Sequence, residues 1–76
     1  MDNIINIVYT PTNKSVYLVF VSIDSVLKNN PNSLFNFYFI IDKSFDESSI
    51  NILNKVRNKE NCKNIYFKLI DASKYK

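Results

Sequence analysis

Leu34-Phe35-Asn36-Phe37-Tyr38-Phe39-Ile40-Ile41 is the stretch whose reading decides the fold. Seven of its eight residues are apolar or aromatic, and Asn36 is the exception. Pro31-Asn32-Ser33 precedes it and Asp42-Lys43-Ser44 follows. A short run rich in aromatic and β-branched residues, bounded by turn formers, reads as a strand covered on both faces. Strands of that kind belong mostly to parallel sheets, whose crossover helices supply the covers.

Working outward, Ile4 to Tyr9 (Ile-Ile-Asn-Ile-Val-Tyr) predicts a first strand. Pro11 has no amide hydrogen to give a ladder, so that strand ends at Thr10-Pro11. Val16 to Asn29 begins like a strand, in Val-Tyr-Leu-Val-Phe-Val, yet Val16, Val19, Phe20, Ile23, Val26 and Leu27 fall on one helical face. The length of the segment and the Asn29-Asn30-Pro31 stop decide for a helix. After the central strand, Ser44-Phe45-Asp46-Glu47 matches a capping box. A second helix with Ile50, Leu53 and Val56 on one stripe then runs into the basic stretch Lys55 to Lys63. Asn64 to Ile70 predicts a third strand, with Asp71 at its end.

The order β-α-β-α-β over 76 residues makes a single α/β domain. Right-handed crossovers give a three-stranded parallel sheet, a Rossmann-like half, in spatial order 3-2-1 with both helices on one face. The other face is then bare. Because the central strand is apolar on both sides, a cover is expected from a second copy, a partner, or sequence beyond residue 76.

Composition narrows the chemistry. The chain has no Gly and no His, which excludes Gly-rich phosphate loops and histidine catalysis or metal binding. Its single Cys62 has no internal disulfide partner and reads as a passive thiol. Ten basic residues against seven acidic leave a net charge of +3, spread along the chain. Tyr66-Phe67-Lys68 alternates aromatic and basic residues as a stacking platform would. With so modest a charge and no further motif, no nucleic-acid partner is expected. No signal-peptide pattern and no apolar run of membrane-spanning length occur, so a cytoplasmic location without a membrane span is expected.

Several pieces taken in order carry a resemblance. They are Ile7-Val8-Tyr9-Thr10-Pro11-Thr12-Asn13, Tyr17-Leu18, Ser22-Ile23-Asp24-Ser25-Val26-Leu27-Lys28-Asn29-Asn30-Pro31 and Phe37-Tyr38-Phe39-Ile40-Ile41. This set resembles the N-terminus of family 8 glycosyltransferases, retaining enzymes of the GT-A fold that include glycogenin-like proteins. The resemblance implies the nucleotide-sugar-binding portion of such an enzyme. Its UDP-sugar donor would be held at the turn after the first strand by Thr10, Thr12 and Asn13, with Tyr17 stacking on the base. It also implies Mn²⁺ or Mg²⁺ in the complete enzyme, held by an Asp-x-Asp motif. No Asp-x-Asp occurs here, and Asp42 and Asp71 are lone carboxylates, so the isolated chain is expected to be inactive. Two alternatives stand beside this reading. Thr12, Asn13 and Ser15 serve equally as caps for the first helix, and the runner-up function is a stand-alone interaction module that self-associates without catalysis.

Overall fold

The computed structural model describes residues 3–70, which form β1 (Asn3–Tyr9), α1 (Val16–Asn29), β2 (Ser33–Ile41), α2 (Glu47–Asn54) and β3 (Cys62–Leu69). A single turn of 3₁₀-helix, Lys55–Asn58, prolongs α2. The three strands lie parallel in the order β1-β2-β3, the α/β architecture that the residue pattern predicts. The expected end of β3, Asp71, lies outside the described residues.

The central strand organises the core. Phe35, Phe37, Phe39 and Ile41 alternate onto the helix side, where the three rings are at most 1% exposed. They stack along the strand, with centroids 5.7 Å apart for Phe35–Phe37 and 6.5 Å for Phe37–Phe39. Against them pack Val16, Ile23 and Leu27 of α1, Leu53 of α2, Val56 of the 3₁₀ turn and Ile65 of β3. Burying side chains of this size is worth about 1.5–3 kcal/mol each, and this cluster is what holds so small a chain together. The predicted helical face of α1 is the one that turns inward, with Val19, Phe20 and Val26 packed against the cluster.

No described residue has a positive φ. In a chain without glycine, helix ends have no left-handed glycine to close them, and asparagine takes over that work. The Asn30 side chain donates to the Val26 carbonyl at 2.8 Å. Asn61, entering β3, donates to the Leu27 and Asn30 carbonyls at 3.0 and 3.1 Å. The carboxyl end of α1 is thereby satisfied by a residue from another element.

The helix-free face, expected to be bare and in need of a cover, carries a polar row across all three strands. Asn6, Asn36 and Asn64 occupy one row across the three strands. Asn64 donates to the Asn36 side-chain oxygen at 3.4 Å, and Asn36 donates to that of Asn6 at 3.0 Å. One row further on, Tyr38 and Tyr66 stack at 5.0 Å. A polar stripe thus crosses the middle of the face, with Ile4, Leu34, Val8 and Ile40 on either side of it. The alignment of that row with β3 depends on an irregularity: Phe35 pairs with Cys62 and Asn36 with Asn64, leaving Lys63 as the extra residue.

Candidate functional site

The turn after β1 emerges at the carboxyl edge of the sheet, where open parallel sheets bind ligands. Pro11 is buried, and Thr10, Thr12 and Asn13 are exposed. Thr12 and Ser15 bond reciprocally: the Thr12 amide donates to Ser15 Oγ at 2.9 Å, and the Ser15 amide donates to Thr12 Oγ1 at 3.2 Å. This is the reciprocal geometry of a capping box with serine in the place of glutamate, set in the turn that leads into α1, whose own N-cap Ser15 makes no side-chain cap bond to the helix.

Asn13 does something else. Its side-chain oxygen accepts from the Asp46 amide at 2.8 Å and from the Ser49 hydroxyl at 2.9 Å. Its amide nitrogen donates to the Ser44 carbonyl at 2.8 Å. Asn13 therefore caps the start of α2, not of α1, and ties the two crossover turns together. Ser49 faces inward, 4% exposed, and is the one buried polar side chain among the described residues.

The Ser44–Glu47 capping box does not form. α2 begins at Glu47 with Asp46 as its N-cap, and no side chain of its own caps it. Ser44 turns back to Asp42, whose carboxylate oxygen accepts from both the Ser44 amide and the Ser44 hydroxyl. Those bonds favour the ionised form and hold the Asp42 carboxyl below its ordinary range, the hydroxyl contributing most. Asp42 and Ser44 thus form an Asx turn, while Asn13 supplies the side-chain acceptor at the start of α2.

The four residues implied for the nucleotide fall into two groups. Thr10, Thr12 and Asn13 share one turn, in which Thr12 and Asn13 have protein partners. Tyr17 stands on the first turn of α1, 68% exposed. Ser44, Asp46 and Ser49 join this edge through Asn13, which residue spacing did not indicate. The signal was present only as a short side chain able to accept two bonds, next to a turn.

A metal does not fit here. Among the described residues no group of three or more His, Cys, Asp or Glu could hold an ion, and the Asp42 carboxylate is committed to Ser44. The lone Cys62 is half-buried, and burial raises its thiol above the usual range, so it stays protonated and unreactive at neutral pH.

At the opposite, amino edge of the sheet lies an open groove of about 910 Å³ lined by Leu27, Pro31, Leu34, Glu60 and Asn61 among others. Its cations are already paired: Asp24 bonds Lys28 at 3.0 Å and Lys59 at 3.1 Å. Among the described residues no helix is long and apolar enough to cross a membrane. Comparison with known proteins returned no matching family, no matching curated protein and no matching solved structure.

Proposed function

We propose that the chain acts as a self-associating α/β interaction module, without catalysis of its own. The exposure of β1 carries this reading. Ile4 and Val8 on the helix-free side are 49% and 58% exposed, and Ile5 on the helix side is 37% exposed. Beside them on α1, Leu18 and Val21 point outward, 74% and 62% exposed. Single apolar residues scattered on a surface are ordinary, whereas several exposed on both sides of one uncharged edge strand, with two more on the next helix, favour an interaction surface. Sedimentation velocity of the purified chain at micromolar concentration tests the reading. The expected result is a species of at least twice the 8.9 kDa chain mass, and a stable monomer overturns it.

A second reading, the nucleotide-sugar-binding portion of a family 8-like retaining glycosyltransferase, is favoured by one observation. The turn Thr10 to Asn13 sits at the carboxyl edge of β1, and Asn13 joins it to the start of α2. Two helix starts then share one edge, with the exposed Lys14 and Lys43 nearby, an arrangement suited to a diphosphate. Binding of uridine diphosphate, read by amide shifts confined to that turn and Tyr17, tests it.

A further inference from the structure

The two edges of the sheet are built differently. β3 carries Lys63 and Lys68 along its length, and lysines on an edge strand discourage pairing with another chain. β1 carries no charge and no proline over its seven residues, Asn-Ile-Ile-Asn-Ile-Val-Tyr. Among the described residues its far side has no neighbouring strand. A long, uncharged, β-branched edge is an open template for strand addition.

The sequence of that edge reads nearly the same in both directions about Asn6. Ile4 mirrors Val8, Ile5 mirrors Ile7, and Asn6 mirrors itself. We infer that two copies of the chain dimerise by antiparallel pairing of β1 with β1, centred on Asn6, to make one continuous six-stranded sheet. The inference rests on the self-association reading above and assigns it a surface.

The occupant follows from this symmetry. In an antiparallel pair about a two-fold axis, each residue faces its mirror position. On the helix-free side Ile4 meets Val8 of the second copy, and Asn6 meets Asn6. On the helix side Ile5 meets Ile7. Apolar residues thus oppose apolar ones and amides oppose amides, the arrangement that cross-strand pairing rewards.

Asn6 is suited to the axis. Its side-chain oxygen takes the bonds from Asn36 and Tyr38, and no bond from its amide nitrogen is found among the described residues. Each copy thus brings to the axis an uncharged amide whose nitrogen still has a bond to give. With a net charge of +3 on each copy, an uncharged edge is also where two copies meet with least repulsion. A charged peptide partner would find no complementary charge on this strand.

On the helix side the surface continues onto α1. Tyr9 of β1 and Ser22 of α1 are bonded at 3.2 Å, so that side of α1 faces β1. Leu18 stands one turn before Ser22 on the same side, with Val21 adjoining. The outward apolar residues of α1 therefore flank the edge that the second copy would occupy.

Native mass spectrometry of two variants, Asn6→Lys and Asn6→Asp, tests the inference. Each places like charges face to face at the axis, and each alone is expected to lose the dimer at concentrations where the natural chain keeps it. Mixed, the two are expected to recover a one-to-one heterodimer. Tyr66→Lys, on the helix-free face away from β1, is expected to remain dimeric. Dimers that survive in both Asn6 variants, or that are lost in Tyr66→Lys, would overturn the edge contact and leave the self-association reading standing. A natural chain that is monomeric throughout would overturn both. Should the Asn6 variants fail to fold, isotope-filtered NMR of a mixed labelled and unlabelled natural sample decides. Ile4 and Val8 lie about 13 Å apart along one strand, so a filtered contact between their methyl groups arises only across the axis. Its absence in a dimeric sample overturns the inference.

Discussion

Asn13 and Ser49 are 36 positions apart and joined by a 2.9 Å hydrogen bond. Through that bond, and through the Asp46 amide that Asn13 also accepts, the first crossover turn closes the start of the second helix. Replacing a side chain that accepts at a helix start costs about 0.5–2 kcal/mol, and a buried hydroxyl left without its partner adds about 1–3 kcal/mol. Asn13→Ala is therefore expected to lower the urea midpoint by more than an ordinary surface substitution. In a Ser49→Ala background the same change is expected to cost less, with a coupling of about 0.5–3 kcal/mol between the two sites. Additive effects would show that the bond carries no stability.

Asn61 closes α1 at its other end, through the Leu27 and Asn30 carbonyls. Each hydrogen bond of this kind contributes about 0.5–1.5 kcal/mol net. Asn61→Ala is expected to destabilise the chain by one to two such bonds and to speed hydrogen exchange in the last turn of α1. Unchanged exchange there, with Asn30 alone closing the turn, would contradict the assignment.

The Asp24 carboxyl is held below its ordinary value, first by its bond to Lys28 and then by that to Lys59. A folded-state pKa lower than the unfolded one gives stability that is present above the unfolded value of about 3.8 and lost as pH falls through the folded value. Asp24→Asn is expected to flatten the acid limb of a stability-against-pH curve below that point, and added salt should shrink the difference. An unaltered acid limb in low salt would show that the pairing contributes nothing.

Much of the architecture was legible from residue types. The phenylalanines at alternate positions of β2, the 3.6-residue spacing in Val16 to Leu27 and the proline that ends β1 each express a rule operating within a few residues. The caps were less legible. Ser44 and Glu47 have the spacing of a capping box, but the pattern is silent on competition, and Asn13 reaches the helix start from 33 positions away at Asp46. The character of the helix-free face was hidden for a similar reason. Asn6, Asn36 and Asn64 form a row only once the register is known, and that register includes the extra residue Lys63. The expected β3 began at Asn64, whereas the strand starts at Cys62 because Asn61 anchors its entry.

Thr12 and Asn13 have their principal bonds satisfied within the protein, so uridine diphosphate is expected to leave their amide signals in place at millimolar ligand. The isolated chain is likewise expected to release no uridine diphosphate from sugar donors, with or without Mn²⁺. Shifts that saturate and are confined to Thr10–Asn13 and Tyr17 would support the nucleotide-sugar reading in place of the first one.

Hydrogen exchange along β1 as a function of protein concentration tests self-association through this edge most directly. In a monomer, the amides of β1 that point away from β2 face solvent and exchange quickly at every dilution. The account predicts that these amides, from Ile4 to Val8, become protected as concentration rises, while the exposed amides of β3 do not. Fast exchange along the outer side of β1 at all concentrations, or protection that first appears along β3, would contradict it.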